Sequence, residues 1–204
     1  MKSAKQHFQN NIIRVKNLGA IYKAINSQIT NILDLSDILR AQYVMLISSL
    51  DHFIHEVVRI GMLEIYNQKR KPTKAFKEFI FSLDKKILFE KAIMQEKNDE
   101  WLNWQIRYRN GFKSFQQANK IEEAMLLIDE ESIWKSISLI TNQNYKDLKN
   151  KLDLIVNRRN QIAHEADIEP IYKELRDIYI EDIENSIEFI EFLVEKIYQI
   201  SELK

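Results

Sequence analysis

The chain has no cysteine among its 204 residues, and glycine and proline number only three and two. Without Cys there is no disulfide framework, no thiolate metal site and no thiol nucleophile. Average usage is roughly 7% Gly and 5% Pro, so this scarcity excludes a fold built from many tight turns and points to long helices. Neither sign of charge dominates, since thirty Lys plus Arg balance thirty Asp plus Glu. No global basic excess marks a nucleic-acid binder. No apolar run approaches the roughly 18 residues of a membrane span, and residues 1–7 lead into no signal-peptide core. A soluble, cytoplasmic chain that keeps its N-terminus and has no membrane partner is expected.

Helical periodicity is what the sequence does contain. Phe8, Ile12, Val15, Leu18, Tyr22, Ile25, Ile29 and Ile32 recur at threes and fours, predicting a first helix over 8–33. Asp34 and Ser36 offer caps for a second helix over 38–68, which Gly61 interrupts without stopping. Pro72 closes it, and Thr73 can cap a short successor. The middle is less regular, with helical stretches expected at 73–82, 84–95, 99–118 and 120–140. The polar run Asn142-Gln143-Asn144 precedes a helix over 145–166 with Leu148, Leu152, Ile155, Val156, Ile162 and Ala163 on one face. Pro170 suits a first helical position, so a last helix is expected from there to about 200, with Ile171, Leu175, Ile178, Ile183, Ile187, Ile190, Val194 and Ile197 as its seam. The whole reads as one all-α domain over 1–204, a bundle of long helices with an irregular helical insertion at about 71–141.

Charge is balanced overall but unevenly spread. Between residues 67 and 91, Lys69, Arg70, Lys71, Lys74, Lys77, Lys85, Lys86 and Lys91 face only Glu78, Asp84 and Glu90, whereas twelve acidic residues face four basic ones from Glu165 onward. These are either solvated faces or, for the basic stretch, a local footprint for phosphates, because counterion release depends on patches and not on net charge. No Gly-rich phosphate loop follows a strand pattern, so a nucleotide-binding α/β fold is not supported.

The sharpest segment is Val156-Asn157-Arg158-Arg159-Asn160-Gln161-Ile162-Ala163-His164-Glu165-Ala166-Asp167. An Arg followed four to six residues later by His arises about 0.5 times by chance here, but requiring Asn after the Arg and His four residues beyond lowers that to about 0.01. On a helix, Asn160 and His164 lie about 40° apart, while Arg159 is about 140° from His164. The Arg must reach around the helix, sit on an irregular turn, or be complemented by a second chain. Imidazole moves protons near neutral pH, guanidinium holds phosphate with paired donors, and Asn orients either. Such a set suits attack of a 2′-hydroxyl on the adjacent RNA phosphate, which requires no metal. The alternative is structural: solvated Arg158 and Arg159, and a polar His164 near a helix end.

The run from Arg158 to Asp167 resembles the signature of the HEPN superfamily, and more narrowly of the RiboL-PSP-HEPN family. Leu50-Asp51-His52-Phe53-Ile54-His55-Glu56-Val57-Val58-Arg59 resembles that family's N-terminal signature, and Trp134-Lys135-Ser136-Ile137 with Leu152-Asp153-Leu154-Ile155-Val156 lies between. The resemblance implies an all-helical fold, a homodimer that joins two Arg-to-His motifs in one cleft, and a cofactor-free endoribonuclease leaving a 2′,3′-cyclic phosphate and a 5′-hydroxyl. By the motif match, Arg159 holds the phosphate, Asn160 positions substrate or His164, and His164 transfers protons. Arg158, Asp51, His55 and Arg59 are the implied supporting or substrate-binding residues. RNA, a second copy, and an antitoxin or other defence-system protein are the implied partners, in a toxin or phage-defence role. One branch of the superfamily carries a Tyr two residues after the His, where this chain has Ala166, so regulation through that Tyr does not transfer. A catalytically silent scaffold or antitoxin-like partner with the same fold is the competing expectation.

His52, His55, Glu56 and Arg59 share one flank of the second helix. The order His-x-x-His-Glu differs from the metalloprotease His-Glu-x-x-His, so no metal is assigned, and a hydrogen-bond network or support of the active site is expected. Trp101, Trp104, Tyr108 and Phe112 recur at threes and fours with Arg107 and Arg109 interleaved. That stripe reads first as a buried or partner-helix face, and second as a base-stacking surface beside an RNA cleft.

Overall fold

The computed structural model describes residues 1–28, 33–79 and 99–203. Eight helices occur among them: α1 (Lys2–Asn26), α2 (Ser36–Tyr66), α3 (Lys74–Lys77), α4 (Glu100–Asn110), α5 (Ala118–Met125), α6 (Ile133–Thr141), α7 (Tyr145–His164) and α8 (Ile180–Glu202). The fold is all-α, and the β pairing among the described residues is one antiparallel bridge between Ile168 and Leu175.

The second helix is the axis of the bundle. Leu39, Leu46, Ile47, Leu50, Phe53, Ile54, Val57, Val58 and Met62 of α2 are all fully buried. A helix apolar on so many sides must be surrounded, and α1, α4, α5, α7 and α8 all pack on it. α1 contributes Ala4, Phe8, Ile12 and Val15 to the core, with the Phe8 ring edge-on to Phe53 at 5.7 Å. α8 contributes Ile183, Ile187, Ile190, Val194 and Ile197. Lys5, Lys16 and Lys23 of α1 each reach a carboxylate of α8, on Glu195, Glu191 and Glu184, at 2.7 Å. Much of the acidic excess of the last helix is therefore counter-charge for the first. At the other end of α2, Gly61 admits Ile128, since a Cβ there would stand 2.7 Å from its Cγ2. Trp134 is fully buried, and its Nε1 donates to the Ala118 carbonyl at 2.9 Å.

Several expected boundaries move for identifiable reasons. α1 starts earlier and ends at Asn26, and Ile29 and Ile32 lie outside the described residues, as do the helix expected over 84–95 and Lys85, Lys86 and Lys91. The expected 120–140 helix is two, because Ser132 caps a new start by accepting from Lys135 N. The largest correction is at Pro170, where no helix begins. Glu169 accepts from the backbone of Ile171 and Tyr172 at 2.8 and 2.7 Å, and Glu169 N donates to Glu174 O at 2.8 Å. Side-chain and turn bonds of this kind compete with the helix ladder. The segment folds into a small hairpin instead, leaving Ile171 and Leu175 78% and 53% exposed rather than on a buried seam.

Candidate active site at the end of α7

Asn144 starts α7 by accepting from Lys146 N at 2.9 Å, and Leu148, Leu152, Ile155 and Val156 bury one face against the neighbouring α2, α5 and α6. The helix remains regular to its end, where Glu165 N donates to Gln161 O at 3.1 Å. No irregular turn swings Arg159 toward His164. Instead Arg159 Nη1 donates to Asn160 Oδ1 at 3.1 Å, reaching around the helix, while its Nε is buried with no partner. Asn160 is half-buried and His164, one turn on, is exposed. The structure thus joins Arg159 to Asn160 directly and sets His164 on the Asn160 side of the helix, open to solvent.

Arg158 has a different place. Both its terminal nitrogens donate to Asp167, and Nη2 also reaches the Asp177 carbonyl at 3.1 Å. Asp167 is fully buried and also accepts from Arg40 Nε at 2.8 Å. Arg40 in turn holds Ser36 Oγ and the Arg176 carbonyl. A buried carboxylate needs such partners, since leaving it unpaired costs several kcal/mol. Ala166 and Asp167 carry the reversal at φ 51° and 58°, a region that Asp tolerates better than most residues. The guanidinium of Arg158 thus anchors the turn that follows His164. Glu165, the next residue after His164, pairs with Arg176 at 3.3 Å.

Asp51, His55 and Arg59 gather elsewhere. Asp51 accepts from Phe115 N at 2.6 Å, His55 Nε2 lies 3.2 Å from the Lys113 carbonyl, and Arg59 Nη1 donates to Asn103 at 3.1 Å. The His55 ring packs on Phe115 at 4.4 Å. From α7, Asp153 accepts from Ala118 N at 2.9 Å. Asp51 and Asp153 therefore clamp the connection between α4 and α5 from two sides, which ends α4 well before the expected residue 118. Arg40 marks the level of the α7 turn on α2, and Arg59 stands about 28 Å further along the same helix. Among the described residues no hydrogen bond joins Asp51, His55 or Arg59 to Arg159, Asn160 or His164.

A cleft of about 260 Å³ opens between Asp51, His52, His55, Arg59, Arg107 and Asn110. Glu56 at its edge accepts three bonds from Arg59 and pairs with Arg107 at 3.1 Å. Burial pushes its carboxyl up, but the hydrogen bonds and charge of Arg59, with Arg107 and His52, outweigh this and hold it below its ordinary value. Both Glu56 oxygens are thus taken by guanidinium groups, and the His-x-x-His-Glu spacing does not assemble a metal cage. Among the described residues no group of three or more His, Asp or Glu side chains is placed to hold a metal ion, and no helix is long and apolar enough to cross a membrane.

Arg40, Asp153 and the structural part played by Asp167 escape a sequence reading. Arg40 and Asp167 are 127 residues apart, and no local spacing announces the pair. No curated protein and no solved structure was found to match the chain. The model of the RiboL-PSP-HEPN family, by contrast, matches residues 9–202, a span that takes in both the second-helix signature and the α7 motif, and the chain belongs to the RiboL-PSP-HEPN family.

Proposed function

We propose that the chain is a metal-independent endoribonuclease whose site is completed by a second copy of itself, and that it serves as a toxin or defence effector. Family membership points to RNase-like or nucleotide-related chemistry. The observation that carries the finer reading is the placement of Arg159 on Asn160, with His164 one turn beyond and exposed at the end of a regular helix. In this reaction one His164 imidazole takes the proton of a 2′-hydroxyl, the 2′-oxygen bonds to the adjacent phosphorus, and the bond to the 5′-oxygen breaks. The leaving oxygen receives a proton from the other His164, giving a 2′,3′-cyclic phosphate and a 5′-hydroxyl. Arg159 holds the phosphate oxygens in which negative charge gathers, and Asn160 fixes its guanidinium. A second copy supplies the other imidazole. The hairpin that follows His164 offers it Ile168, Ile171, Tyr172, Leu175 and Tyr179, each between 42% and 78% exposed.

The test is cleavage of labelled RNA by the purified chain and by His164→Ala, with chelator present and sedimentation run in parallel. Wild-type cleavage that survives chelation and vanishes in the variant, at unchanged helicity and mass in solution, supports the reading. Equal cleavage by His164→Ala overturns it. A stable complex with another protein and no cleavage by either form favours the scaffold or antitoxin-like alternative.

A further inference from the structure

The stripe on α4 is not a buried face. Trp101 is half-buried and meets Tyr66 edge-on at 5.8 Å, but Trp104, Tyr108 and Phe112 are 45%, 51% and 88% exposed. α4 buries Leu102, Gln105, Ile106 and Asn110, and at 100° per residue Trp104 and Tyr108 fall on the other side. The Trp104 and Tyr108 rings stack 5.2 Å apart and within 7° of parallel, and Phe112 meets Tyr108 edge-on at 6.0 Å. Three large rings in a continuous row toward solvent are unusual for a surface with no binding role.

Positive charge frames the row. Arg107 is 55% exposed along its side chain, and Arg109 and Lys113 are exposed at the same end. Exposed Lys69 and Lys71 follow Tyr66 and Asn67 at the other end, where Asn67 bonds Asp99 just before α4. Among the described residues, Glu56 is neutralised by Arg59 and Arg107, and Asp99 is held by Asn67. Glu100 lies in the first turn of α4.

We infer that this face is a platform for single-stranded RNA, with bases stacked on Trp104, Tyr108 and Phe112 and phosphates drawn to Arg107, Arg109 and Lys113. Every base has a π-face, so such a row binds without reading sequence. It rejects duplexes, whose bases are already stacked on one another. The inference rests on RNA being the substrate, but it places the grip on α4, far along α2 from the turn that follows His164.

The experiment separates the two claims by measuring binding in the His164→Ala background. Fluorescence anisotropy follows a labelled twenty-nucleotide uridine strand and a duplex of equal length. Trp104→Ala and Tyr108→Ala, which remove exposed rings, should each weaken single-strand affinity by roughly 5- to 100-fold at unchanged thermal stability. Arg109→Gln should lower the slope of log affinity against log salt by about one. The parent should prefer the single strand to the duplex. Unchanged single-strand affinity in the Trp104→Ala, Tyr108→Ala double variant overturns the platform, and so does altered self-association with unaltered RNA affinity, which marks a protein contact instead. In the His164-containing chain, cleavage of a uridine dinucleotide, too short to reach α4, should be indifferent to Trp104. If no RNA is cleaved yet ring-dependent binding persists, the catalytic reading fails and the platform stands. If His164-dependent cleavage of the long strand ignores both rings, the platform alone fails.

Discussion

Replacing Asp167 should expose how the end of α7 is held. Its carboxylate is fully buried and accepts three charge-assisted hydrogen bonds, one from Arg40 and two from Arg158. The two arginine side chains are themselves only 9% and 19% exposed. Removing one partner of a buried ion pair typically costs about 3–5 kcal/mol, because the remaining charge is stranded. Here Arg40 keeps Ser36 and the Arg176 carbonyl, and Arg158 keeps the Asp177 carbonyl. The lower end, about 3 kcal/mol, is therefore expected for Asp167→Ala. For a chain of this size that lowers the melting temperature by about 6–12 °C. Backbone strain can be separated from charge: at φ 58° a Gly relaxes the left-handed cost of about 1 kcal/mol that Ala retains, so Asp167→Gly should melt above Asp167→Ala. Asp167→Asn keeps the shape but loses the charge and should also fall well below wild type. Thermal melts followed by circular dichroism at low and high salt provide the assay, and the loss should persist in salt because the pair is buried. Melting of all three variants within about 2 °C of wild type would show that the cluster does not hold this turn.

The opposite end of the axis gives a packing prediction: Gly61→Ala pushes a methyl to within 2.7 Å of Ile128 and should destabilise by about 1–3 kcal/mol in chemical denaturation. An unchanged midpoint would mean that the α2–Ile128 contact yields freely. Glu56 gives a pH prediction. Its carboxyl is held below the unfolded value, so its stabilising contribution is complete above the unfolded value and is lost as pH falls through the folded one. The stability gap between wild type and Glu56→Gln should therefore narrow below about pH 4, and a gap constant from pH 3 to 7 would contradict the sign.

Helix period and the caps Thr73 and Asn144 were legible in the sequence, because each depends on neighbours within a turn, whereas the Ser132 cap that divides the expected 120–140 helix was passed over. So was the α7 motif, since Asn160 and His164 share a side of one regular helix. The hairpin after Pro170 was hidden, as its bonds through Glu169 outweigh an apolar spacing that looked helical. The second-helix signature was visible as a pattern and opaque as a role: Asp51 and Asp153 serve the α4–α5 connection, and only the fold brings that segment between them. The aromatic stripe was legible as a shared side of one helix, but spacing does not show how exposed each ring is, and Trp104, Tyr108 and Phe112 are 45%, 51% and 88% exposed.

The Arg40–Asp167–Arg158 cluster also bears on the order in which the fold closes during synthesis. Its carboxylate lies 127 residues downstream of Arg40, and contacts that close so long a stretch of chain form late, after local helices. While the ribosome is still making residues before 167, α7 has no partner for Arg158 and no turn behind His164, and the α8 face that lines α2 is absent. The end of α7 is therefore held in place only after roughly four-fifths of the chain has been made, so the turn behind His164 is among the last parts of the fold to close.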